Sequence, residues 1–102
     1  TLLERKRLEM ARALATKPRA LLLDEIAGGL TEHEVKEVIE TINAIHAQGT
    51  SIIWIEHIVH ALLSVVDRLV VINFGQKLDD GDPNTVINSP EVQKVYMGIS
   101  IE

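Results

Sequence analysis

Two adjacent carboxylates, Asp24 and Glu25, close the apolar run Ala20-Leu21-Leu22-Leu23. Successive residues at the end of a strand point in different directions, so the two acids can take different tasks. Asp24 suits a hard cation such as Mg2+, and Glu25 suits a water molecule that must be oriented or deprotonated for attack on a γ-phosphate. Further along, a second apolar run, Ser51-Ile52-Ile53-Trp54-Ile55, also ends in polar side chains, Glu56 and His57. In a parallel sheet the two run ends share one edge, where ligands collect. A neutral imidazole at that edge can donate to a phosphate oxygen and help place the water without any change in its acidity.

Each group also has a plainer reading. Asp24 and Glu25 can be two surface acids at a strand end, and His57 an exposed histidine. His57 and His60, one helical turn apart, are spaced for a divalent-metal site with Glu56, although the H-E-x-x-H order is absent. Six of the ten Lys and Arg residues lie among residues 1–19, which raises nucleic acid as a partner. Arg5, Lys6, Arg7 and Arg12 are not interleaved with aromatics, and one Phe, one Tyr and one Trp leave little to stack on bases. A solvated helix face is expected, with no nucleic acid.

The elements that must position these groups alternate. Residues 2–15 place Leu3, Leu8, Ala11, Leu14 and Ala15 on a helical stripe ahead of Pro18. The run at 20–23 is too short for a helix and predicts a buried parallel strand. After the loop Ile26-Ala27-Gly28-Gly29-Leu30, Thr31 and Glu34 form a capping box for a helix with Val35, Val38, Ile39, Ile42 and Ile45 on one face, stopped by Gly49. Residues 51–55 form a second strand and residues 58–66 a short apolar helix. Leu69 to Asn73 and the weaker run Gln76 to Leu78 predict a hairpin with its reversal at Gly75. Asp82-Pro83 and Ser89-Pro90 each start a short terminal helix, around Val86 and around Val92 to Tyr96. Trp54, Tyr96 and Met97 are expected to be packing residues. The pattern predicts an α/β sheet covered by helices on both sides.

With 102 residues, 46% of them hydrophobic, the chain is expected to make one small domain or less. No apolar run approaches the ~20 residues that cross a bilayer, and the first residues are not a signal peptide, so no membrane insertion is expected. The absence of cysteine fits a reducing compartment, with the cytoplasm as the default.

The segments TLLERKRLEMARALATKPRALLLDEIAGGLTEHE, SIIWIEH and DRLVVINFGQKLDDGDP resemble the ATPase subunits of ABC transporters over essentially the whole chain. The resemblance implies a P-loop NTPase-like α/β fold. It makes Ala20 to Asp24 the Walker B strand with Asp24 on Mg2+, Glu25 the catalytic glutamate, Gly28-Gly29-Leu30-Thr31 the D-loop and His57 the switch histidine. It implies ATP and Mg2+ as cofactors of the full-length protein. A second ATPase subunit and transmembrane permease subunits are the implied partners, at the cytoplasmic face of the cell membrane. The tail NFGQKLDDGDPNTVINSPEVQKVYMG is most similar to the importers of branched-chain amino acids.

The departures are as informative. The resemblance aligns Thr1-Leu2-Leu3-Glu4 with the S-G-G-Q part of the family signature. Thr1 and Glu4 are then the remnant that could contact nucleotide, and leucines replace both glycines. Ile26 stands for a usual proline, Thr31 for an acid or amide, and Ile58 for a common Asp. No G-x-x-x-x-G-K-[ST] occurs, and the Q-loop is missing too. Residues 1–102 are therefore expected to be the C-terminal part of a single ABC ATPase domain, beginning inside its signature and inactive toward ATP in isolation. In the family's sheet the absent phosphate-loop strand lies between the strands at 52–55 and 69–72. Those strands are expected to have unpaired edges and to drive self-association, with exchange of elements as one route. The rival reading is a non-catalytic oligomerising or regulatory module.

Overall fold

The computed structural model describes the backbone of residues 1–101 and the side chains of residues 1–96; the expectation for Met97 lies outside the described side chains. The elements are α1 (Leu2–Leu14), β1 (Ala20–Asp24), α2 (Glu32–Ala47), β2 (Ser51–Ile55), α3 (Val59–Leu63), β3 (Leu69–Asn73), β4 (Gln76–Gly81), α4 (Pro83–Ile87) and α5 (Pro90–Ile101). They form two compact units, residues 1–65 and residues 66–102.

In the first unit β1 and β2 pair in parallel, from Ala20 opposite Ser51 to Asp24 opposite Ile55. Burial along β1 alternates with the pleat: Leu21 and Leu23 are covered, whereas Ala20, Leu22 and Asp24 are exposed. The covered face packs with α1 and α2 into one cluster of Leu3, Met10, Val38, Ile42 and Ile45 around Leu21, Leu23 and Ile26. Trp54 joins this cluster and also a smaller one of Ala27, Val35 and Ala61. Its indole N–H is buried with no hydrogen-bond partner.

Two expectations are corrected here. The strand pair is not covered on both sides: Leu22, Ile53 and Ile55 are 71%, 58% and 60% exposed. Both neighbouring helices direct their apolar stripes at a single face, so nothing among the described residues of this unit shields the other. Along α1, the inward stripe is Leu3, Met10 and Ala13 with the expected Leu14, whereas Leu8 is 61% exposed. Lys6, half-buried, shares that stripe one turn after Leu3.

Helix starts follow local chemistry. Thr1 and Glu4 form a capping box on α1, and Thr31 and Glu34 form the expected one on α2. The Thr31 backbone N–H, with help from its hydroxyl, holds the Glu34 carboxyl below its usual range.

The second unit is built on the antiparallel β3–β4 hairpin, which makes a sheet separate from β1–β2. Phe74 and Gly75 both take positive φ, 48° and 76°, as a two-residue turn matched to strand twist requires. β4 runs on to Gly81, past the expected end at Leu78, although Asp79 and Asp80 are poor strand formers. Arg68 offsets that preference with two hydrogen bonds of 2.6 Å to the Asp80 carboxylate. These bonds, assisted by Lys77, hold the Asp80 carboxyl below the usual carboxylate range. Stabilisation of this sign is complete above the unfolded carboxylate value of about 4 and fades as pH falls through the lower folded value. Asp80→Asn is therefore expected to weaken the hairpin at neutral pH and to remove its loss of stability below about pH 4. Amide exchange of Val71 and Leu78 measured from neutral to acid pH reports both effects; an unchanged acid profile would exclude the pair as the cause.

Candidate functional site

The parallel register brings the two polar strand ends together at the C-terminal edge of β1–β2. The ladder continues one step beyond the strands, with the Glu25 N–H donating to Ile55 O at 2.7 Å. The chain then turns sharply, because Glu25 itself adopts φ 51°, a region that costs a residue with a Cβ on the order of 1 kcal/mol or more. This turn separates the neighbouring acids. Asp24 stays on the uncovered face with Leu22, Ile53 and Ile55, whereas Glu25 reaches toward the end of β2.

There His57 Nδ1 lies 3.3 Å from Glu25 Oε1, with both side chains largely in solvent. The contact constrains what the imidazole can do. If Nδ1–H donates to Glu25, a neutral ring has only a lone pair at Nε2. A His57 that donates to a phosphate must then either release Glu25 or carry a second proton.

Glu56, between β2 and His57, turns back onto the chain. Its Oε2 accepts from the Ala27 N–H at 3.1 Å and its Oε1 from the His57 N–H at 3.2 Å. Asp24 and Glu25 also share an open groove with Lys6, Glu9 and Met10. The Lys6 ammonium donates to Ile26 O and, at 2.6 Å, to Gly28 O. Asp24 is exposed, and an exposed carboxylate suits a hard cation that keeps several waters and phosphate oxygens.

The remaining expected site residues divide. Gly29 has φ 79°, a backbone conformation that favours glycine, and a Cβ there would stand 2.9 Å from the end of the Leu2 side chain. At Gly28 a Cβ would be an ordinary 3.5 Å from Glu25 O. Thr1 and Glu4 engage each other: the Thr1 hydroxyl accepts from the Glu4 N–H, and the Glu4 carboxylate accepts from the Thr1 amine, each at 3.1 Å. Glu56, His57 and His60 do not assemble as a metal site, since no group of three such ligands forms among the described residues. Lys6 and the backbone role of Glu56 were missed from sequence. The available signal for Lys6 was a cation within the stripe that runs through Leu3 and Met10.

No protein-family model matches the chain. Among curated proteins it is 38% identical over 96 residues to the high-affinity branched-chain amino acid transport ATP-binding protein LivG of Escherichia coli (strain K12), covering 93% of this chain and 38% of LivG. It has the same identity and coverage with the corresponding protein BraF of Pseudomonas aeruginosa. A probable ABC transporter ATP-binding protein of Azorhizobium caulinodans is 35% identical over 95 residues, 93% of this chain and 34% of that protein. A nucleotide-free ATP-binding cassette from an ABC transporter superposes with a TM-score of 0.87 at 25% identity, over 94% of this chain and 40% of the cassette. The ADP conformation of the cassette MJ1267 gives 0.83 at 28% identity, over 91% and 38%. The chain thus spans 38% of the length of the first curated relatives it matches.

Proposed function

We propose that this chain, which matches ATP-binding proteins of ABC transporters over 93% of its length, supplies the hydrolytic edge of such a protein: the acid that activates water, the imidazole beside it and the carboxylate that holds the metal. The observation that carries this reading is the Glu25–His57 contact of 3.3 Å at the end of a parallel strand pair. Asp24 is the neighbouring strand-end acid on the open face.

In this reading Glu25 accepts a proton from a water whose oxygen attacks the γ-phosphorus of ATP, while the bond from that phosphorus to the ADP oxygen breaks. His57 leaves Glu25 to donate to a γ-phosphate oxygen, or donates through Nε2 as the imidazolium. Asp24 holds Mg2+, which when bound neutralises charge on the phosphate oxygens. The β- and γ-phosphates need a cradle of amides and a lysine, and the 102-residue sequence holds no G-x-x-x-x-G-K-[ST] to provide one. The uncovered face of Leu22, Ile53 and Ile55 ends at Asp24, so a segment that covers it can also deliver phosphates to that carboxylate. We assign this role to the rest of an ATP-binding cassette, the share of the relatives that this chain does not span.

The names of LivG and BraF support import of branched-chain or related amino acids as the work of the whole transporter. A second ATPase subunit and membrane permease subunits are its partners, with this chain peripheral at the cytoplasmic face. Among the described residues no helix is long and apolar enough to cross a membrane.

A second reading is favoured by the same open face: a non-catalytic module that assembles through Leu22, Ile53 and Ile55. Titration of Mg-ATP into the chain by calorimetry separates what the edge does alone from what a cradle adds. The expected result is no measurable heat of binding. Tight Mg2+-dependent binding abolished by Asp24→Ala would show a complete phosphate site within these residues and overturn the division of labour.

A further inference from the structure

Helix α1 grips the loop behind Glu25 with two side chains one helical turn apart. Lys6 donates to the carbonyls of Ile26 and Gly28, and Leu2 lies over Gly29. Spacing of i and i+4 puts both on one helix face. Glu56, at the end of β2, accepts the Ala27 N–H. The Glu25 carbonyl accepts from the Gly28 N–H at 3.3 Å, which closes the turn on the acid itself. Glu25 keeps its left-handed backbone only while its surroundings hold it there. A half-buried ammonium spent on two backbone carbonyls, rather than on any of the nearby carboxylates, is a device for fixing that loop.

We propose that Lys6 is a positioning residue for Glu25. It makes the direction of the Glu25 carboxylate, and hence its contact with His57, depend on α1. Leu2, at a position aligned with a signature glycine, packs on the loop as the second point of the clamp. Displacement of the first turns of α1 therefore loosens the acid. The catalytic meaning of this coupling rests on Glu25 being the water-activating acid; the coupling itself does not.

NMR on the chain tests it. Lys6→Met is expected to accelerate amide exchange of Ala27, Gly28 and Leu30 by about tenfold or more, with Val38 and Ile42 unchanged as a check on the fold. It should also move the His57 Nδ1 resonance toward its position in Glu25→Gln, and Lys6→Arg should restore the wild-type signal. A His57 resonance unmoved by Lys6→Met overturns the proposal, whether or not the loop amides exchange faster. A resonance unmoved by Glu25→Gln overturns it as well, by removing the contact to be positioned. In the wild type the Lys6 ammonium protons must be protected from exchange; freely exchanging ones refute the clamp even if Lys6→Met fails to fold. Failure of the hydrolytic reading is a separate result, seen as unchanged ATP turnover in Glu25→Gln.

Discussion

Glu25→Gln in a cassette that contains this segment is expected to lower ATP turnover by at least about a hundredfold, the usual contribution of a positioned general base. That loss corresponds to about 2.7 kcal/mol of barrier. The amide preserves the shape of the side chain and can still hydrogen-bond to His57, but it cannot accept a proton from water. Affinity for Mg-ATP is expected to stay within about twofold, because the proposed function puts Glu25 on the transition state and leaves the metal to Asp24. Steady-state turnover and nucleotide binding measured on the same preparation separate the two effects. Turnover within about threefold of wild type would remove Glu25 from the chemistry and leave its strained backbone without a catalytic explanation.

The second large effect concerns the uncovered face. Leu22, Ile53 and Ile55 retain 71%, 58% and 60% of their accessible surface, and the register keeps them together on one side of β1–β2. Burying what remains exposed is worth roughly 1–2 kcal/mol for each side chain, about 3–6 kcal/mol for the three. A change of that size alters a dissociation constant by roughly two to four orders of magnitude. The isolated chain is therefore expected to self-associate through this face. The double substitution Leu22→Lys and Ile53→Lys is expected to raise the self-dissociation constant at least about a hundredfold. It should leave the thermal midpoint nearly unchanged, since both positions are already exposed. Sedimentation velocity across a concentration series reads the shift. A wild-type chain that stays monomeric at every accessible concentration would show that the face does not need a cover.

Both effects join features that differ in how far sequence could reveal them. Asp24 and Glu25 stood out because an apolar run ends in two acids, and the parallel register confirms the placement of the run ends at one edge. Their separation into different directions required the left-handed turn at Glu25, which no residue type announces, since glycine and asparagine are the usual occupants. His57 was legible as a polar residue after β2; its contact with Glu25 depends on a loop conformation set by Lys6 and Glu56. Thr1 and Glu4, which the resemblance aligns with the family signature, also have the spacing of a capping box, and they form one at the start of α1.

Local rules determined the elements themselves: Thr31 with Glu34 starts α2, Phe74-Gly75 reverses the hairpin, and short apolar runs make the strands. Such features depend on residues a few positions apart, and the preferences of those residues suffice to set them. Tertiary structure alone decided which face of β1–β2 is covered, that Met10 rather than Leu8 enters the core, and that Lys6 holds the loop behind Glu25. Each of those outcomes depends on contacts between residues distant in sequence. An alternating strand with leucine on both faces is compatible with either side being buried until α1 and α2 close on one of them.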